Sequence, residues 1–80
     1  MGFVKEFKEK SYKTDSPDIP VYYMYELLND HVWITLNSDG FYLFIMLCGE
    51  PIHVRITKLV ASQIFMKNER QKEENKKRRM

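Results

Sequence analysis

Residues 39–68, DGFYLFIMLCGEPIHVRITKLVASQIFMKN, leave almost no slack between elements, and this constrains the fold more than any other stretch. Asn37-Ser38-Asp39-Gly40 is the clearest turn in the chain, because Asp-Gly tolerates the positive φ that hairpin turns demand. A strand over residues 41–47 follows, apolar on both faces. Cys48-Gly49-Glu50-Pro51 turns the chain again, and residues 52–56 form a last strand with Val54 and Ile56 on one side. Thr57 then has the character of an N-cap, since its hydroxyl can accept an orphan backbone N–H just before an apolar run. Leu59, Val60, Ala61, Ile64 and Phe65 make a wide stripe for packing on a sheet.

The rest of the chain supplies partners for that unit. Residues 2–10 place Phe3, Val4 and Phe7 at helical spacings, which predicts a short amphipathic helix that must dock its Phe side to persist. Residues 11–20, SYKTDSPDIP, read as a loop. Residues 21–28 and 31–36 are rich in Tyr, Trp and aliphatic residues and read as two strands around an Asn29-Asp30 turn. From Lys67 the residues are helix formers without an apolar stripe, so the final helix extends to about Arg78, some ~30 Å in length. The expected fold is α+β: an antiparallel three- to four-stranded sheet packed on one long C-terminal helix, with a short N-terminal helix.

Eighty residues form one small domain, with residues 1–20 as helix and loop, 21–66 as sheet and packed helix start, and 67–80 as a basic helical tail. A chain of this size buries little more than about 60% of its unfolded surface, so a partner would contribute stability. Residues 1–66 carry six lysines and arginines against eight carboxylates; residues 67–80 carry seven against three. The basic excess therefore sits entirely at one end. The single Cys48 excludes an internal disulfide and fits a reducing compartment. No apolar run is long enough to span a membrane, and the N-terminus lacks a signal-peptide pattern. The expected location is cytoplasmic, in the host cytosol if the chain is phage-encoded, with no membrane partner.

The same central stretch resembles the segment that precedes the catalytic motif in phage-type HNH homing endonucleases. Gly40-Phe41 stands where that family has Gly-Tyr, Gly49 marks its turn, and Lys58-Leu59-Val60-Ala61 with Phe65 matches its helix start. Ile19-Pro20, Tyr25-Glu26-Leu27, Asn29 and Val32 are similar to the small DNA-contacting module that opens those enzymes. The resemblance spans about residues 18–68. The metal-binding residues of those nucleases would follow the helix, where this chain reads KKRRM, and Thr57 stands near the family's first His. What the resemblance implies is therefore binding without cleavage. That family also places Arg or Lys on the outward sheet face, whereas the alternate positions here are Leu43, Ile45 and Leu47.

Two functional expectations follow. One is a non-catalytic nucleic-acid-binding module of the phage-accessory kind. In it Lys67, Arg70, Lys72, Lys76, Lys77, Arg78 and Arg79 grip phosphates, and Arg55 and Lys58 lie nearer the groove. The other is a small protein-binding inhibitor of a host enzyme, of the anti-defence or anti-CRISPR type, docking through Leu43, Ile45, Leu47, Tyr22 and Tyr23. A homodimer through the same face is compatible with either. The aromatic set Tyr22, Tyr23, Tyr25, Trp33, Phe41, Tyr42 and Phe44 reads as core or interface packing rather than as a base-stacking platform, because its interleaved positions are apolar. His31, Cys48 and His53 have metal-ligand chemistry but no ligand spacing, and a Cys48–His53 pair lacks an orienting acid. No enzyme activity, metal or cofactor is expected.

Overall fold

The computed structural model describes residues 2–16, 19–28 and 31–78, with the backbone alone at 15, 16, 19–22 and 78. The elements run α1 (Phe3–Glu9), β1 (Tyr12–Ser16), β2 (Ile19–Glu26), β3 (Val32–Asn37), β4 (Gly40–Leu47), β5 (Glu50–Ile56) and α2 (Lys58–Arg78). The strands form one antiparallel meander in the order β1-β2-β3-β4-β5. The architecture is thus α+β as expected, with five strands instead of three or four. The added strand is β1, from residues expected to form a loop. Tyr12, Lys13 and Thr14 pair with Met24, Tyr23 and Tyr22, and the register slips between Thr14 and Ser16. Local composition disfavours a strand there, but β2 would otherwise present an open edge, and ladder pairing overrides a weak local preference.

The two tight hairpins solve their turns differently. At Asn37–Gly40 the Asn37 Oδ1 accepts from the Asp39 N–H at 2.8 Å, and only Gly40 takes a positive φ, +127°. At the β4–β5 turn both central residues are left-handed, Cys48 at +53° and Gly49 at +80°, which matches the twist of the flanking strands. That turn closes on Leu47 and Glu50, so alternation makes Met46–Pro51 a non-hydrogen-bonded pair. Pro51 lies on the edge strand β5, where its missing N–H costs no ladder bond.

The core lies between one sheet face and the two helices. Phe7, Tyr25, Ile34, Phe41, Ala61 and Phe65 are buried. Phe7 of α1 is its hub, with ring centroids 5.4–5.8 Å from Phe3, Tyr25, Phe41 and Phe65. Thr57 caps α2 as expected, its hydroxyl accepting from the Val60 N–H at 3.1 Å. The packing stripe of α2 is narrower than its sequence suggests. Ala61 and Phe65 are buried and Ile64 is half-buried, but Leu59 is 66% exposed and Val60 is also exposed. Phe3 and Phe7 flank Phe65, so α1 takes up contacts that a wider α2 stripe would have made.

Strand register also settles which face is which. Leu36 faces Phe41 and Ile34 faces Leu43 across the sheet, so Leu43, Ile45 and Leu47 share the helix-bearing face with buried Phe41. The expectation that they line the outward face is corrected. Leu43 packs against the core, Ile45 is half-buried, and Leu47, at the hairpin end, is 57% exposed. Because β4 is apolar on both faces, its sequence carries no sign of which side the helices take. Tyr23 likewise packs on the core, with the Lys8 ammonium 5.2 Å from its ring centroid. The Tyr22 side chain lies outside the described residues; its backbone pairs with Thr14.

Candidate binding surface on the open sheet face

Both helices occupy one side of the sheet, and the other side is open. Alternation along each strand places two transverse rows there. The first runs Glu26, Trp33, Phe44, His53 from β2 to β5. The Trp33 and Phe44 rings lie 5.3 Å apart, and His53 stacks on Phe44 at 4.6 Å with planes 19° apart. The second row runs Tyr12, Met24, Thr35, Tyr42, Arg55 from β1 to β5. Thr35 is only 4% exposed although no helix covers it, so its larger neighbours close over it. The Arg55 guanidinium lies 6.0 Å from the Tyr42 ring centroid, and its Nη2 donates to the Asp39 carbonyl at 2.9 Å. Arg55 thereby braces the β3–β4 turn while keeping its charge at the margin of the face.

An antiparallel sheet wetted on one side usually shows polar residues there. This one shows Trp33, Tyr42, Phe44, Met24 and Met46, with one carboxylate and one guanidinium among them. The bland alternative is that the rings merely shelter one another, which the Trp33–Phe44–His53 stack does in part. Self-shelter leaves the outer ring faces in water, however, and does not account for so many large apolar groups in one place.

The basic residues lie elsewhere. On the far side of the sheet, α2 is tied down by a polar cluster that sequence reading missed. The Tyr25 hydroxyl donates to Glu69 Oε2 and accepts from Asn68 Nδ2 at 2.8 Å, while Asn68 Oδ1 accepts the Leu28 N–H at 2.9 Å. Lys10 Nζ lies 3.0 Å from Glu69 Oε1, and Lys72 Nζ 3.3 Å from Oε2 and 4.7 Å from the Tyr25 ring centroid. Burial, then the bond to Glu69, pushes the Tyr25 hydroxyl well above the usual phenol range. Burial alone would raise the Glu69 carboxyl, but the Tyr25 hydroxyl, Lys10 and Lys72 outweigh it and hold the group below its ordinary value. The hydrogen bond and charge of Glu69 in turn raise Lys10. The only legible signal was a Glu inside a basic run, which by itself reads as a solvated charge.

Among the described residues, Glu69 makes both ion pairs, so Lys67, Arg70, Lys76 and Lys77 have no carboxylate within reach. Lys67, Arg70 and Lys77 share one exposed side of α2 with Glu74 between them. Lys58 opens the helix, the Arg78 side chain is not described, and Arg79 lies outside the described residues. The expected basic set is therefore divided: Arg55 is on the open sheet face, and Lys58, Lys67, Arg70, Lys72, Lys76, Lys77 and Arg78 belong to α2 behind it. His31 sits before β3, Cys48 in the β4–β5 turn and His53 on the open face. Among the described residues no three His, Cys, Asp or Glu side chains gather as a metal site would require. No described helix is long and apolar enough to cross a membrane.

No protein-family model, curated protein or solved structure matches this chain.

Proposed function

We propose that this protein is a non-catalytic protein-binding module whose working surface is the open sheet face. The observation that carries the reading is the composition of that face: Trp33, Tyr42 and Phe44 with Met24, Met46 and Arg55, and almost no Lys, Asp or Glu. Aromatic residues, Met and Arg are enriched at the desolvated centres of protein interfaces, where Lys, Asp and Glu are depleted. Nucleic acid stacked on the same rings would need cations around them, and the cations of α2 lie behind the sheet. The module acts by occupying a partner's surface, as an inhibitor or adaptor does, in a reducing cytosol compatible with the exposed thiol of Cys48. A photo-crosslinking phenylalanine analogue at position 44 should capture protein, and the same probe at Glu74 should not. Capture from position 74 alone would overturn the reading.

One observation favours a second reading, binding of nucleic acid along α2: Lys67, Arg70 and Lys77 form an exposed row without ion-pair partners among the described residues. Affinity for duplex DNA should then fall steeply with salt, by a log–log slope of roughly −0.9 for each phosphate neutralised. Affinity independent of salt would remove it.

A further inference from the structure

We infer that the partner of the open face is a second copy of this chain, in a face-to-face sandwich about a two-fold axis parallel to the strands between β3 and β4. The inference rests on the protein-binding reading above and names its occupant. Charge placement selects this axis. Glu26 lies at the β2 margin of the face, and His53 and Arg55 lie together at the β5 margin. A two-fold along the strands, between β3 and β4, sets β2 of one protomer over β5 of its partner. Glu26 then meets the partner's His53, with the partner's Arg55 beside it. A two-fold across the strands would set β5 over β5 and β2 over β2, turning Arg55 towards Arg55 and Glu26 towards Glu26.

The same operation matches shapes near the axis. Trp33 falls over the partner's Phe44, so the two rows of rings pack as one aromatic layer. Thr35, the recessed small residue of the face, falls under the partner's Tyr42, the large one. Two twisted sheets packed this way cross at about 30°, which holds the match close to the axis and relaxes it at the margins. Four strands at about 4.8 Å spacing and seven residues at about 3.4 Å outline roughly 450 Å². Side-chain relief raises the accessible area towards the roughly 600 Å² per partner at the low end of specific interfaces. The dimer is accordingly a dissociable one. This two-fold also keeps the C-terminal halves of both α2 helices at the same end of the assembly, since each runs past the Leu28 end of β2.

Sedimentation equilibrium of the full chain tests the arrangement, with circular dichroism confirming that each variant is folded. The wild type should show a reversible monomer–dimer equilibrium. Glu26→Lys and His53→Glu should each weaken it by about tenfold, since every pair occurs twice, and the double variant should restore it. Both positions are exposed, so neither change threatens the fold. Phe44→Lys should leave only monomer. A wild type that is monomeric throughout, or a dimer unmoved by the Glu26 and His53 exchanges, overturns the second-copy inference. If the position-44 crosslink then still captures another protein, the protein-binding reading survives without it; if it captures nothing, both fall.

Discussion

Both faces of the sheet carry large apolar side chains, and their fates are opposite. On one, Phe7 of α1 and Phe65 of α2 close over Tyr25, Ile34 and Phe41 until almost no surface remains. On the other, Trp33 rests against Phe44 and Arg55 lies over Tyr42, with no described helix above them. The difference shows that hydrophobic alternation tells how many faces a sheet wants covered, whereas the supply of helices decides how many it covers itself. Here the helices cover the middle of one face and leave Leu47 of β4 and Ile52 and Val54 of β5 exposed on it.

The strongest way to break the comparison is to truncate one ring on each face. Phe7→Ala should cost about 3–5 kcal/mol, enough to unfold much of a domain this small, whereas Phe44→Ala in the monomer should cost well under half of that. Urea denaturation at low protein concentration reads both, and equal losses would mean that the open face is core after all. A subtler pair removes hydroxyls. Tyr25→Phe strips the bonds to Glu69 and Asn68 behind the sheet and should cost about 1–3 kcal/mol. Tyr42→Phe, on the open face, should fall within about 0.5 kcal/mol of wild type.

Next in size is the pH response of the helix-side cluster. The Glu69 carboxyl is held below its unfolded value, so its contribution is complete above about pH 4.5 and is lost as pH falls through the depressed folded value. The Tyr25 hydroxyl and Lys10 are raised. Their contributions are complete below their unfolded values, near 10.0 and 10.5, and fade as pH rises through the higher folded ones. Stability should therefore be flat between those limbs, and Glu69→Gln should flatten most of the acid limb in melts recorded from pH 2 to 7. An unchanged acid limb would place the responsible carboxylate elsewhere. A modest gain belongs to the β4–β5 turn, where Cys48 holds a left-handed backbone that Asn adopts more readily. Cys48→Asn should stabilise the fold by about 0.5–1 kcal/mol without altering binding at the open face.

Much of this was legible in the chain. The Asp39-Gly40 and Cys48-Gly49 turns, the Thr57 cap and the reach of α2 to Arg78 follow from local chemistry, and the structure keeps them. Strand β1 was not legible, because Tyr12–Ser16 is drawn into the sheet by the free edge of β2 rather than by its own preference. The Glu69 cluster was hidden for a similar reason: Lys10, Tyr25 and Glu69 are far apart in sequence and meet only where α1, β2 and α2 converge.

Unaided, the sequence determined the β3–β4 and β4–β5 hairpins, the helix boundaries and an apolar surplus too large for one side of a small sheet. These depend on turn geometry, capping and residue character, all of which act within a few positions. Packing by the helices decided which side of β4 became core. Leu43, Ile45 and Leu47 alternate with Tyr42, Phe44 and Met46 along a strand equally apolar on both sides, and only the docking of Phe7 and Phe65 broke that equivalence.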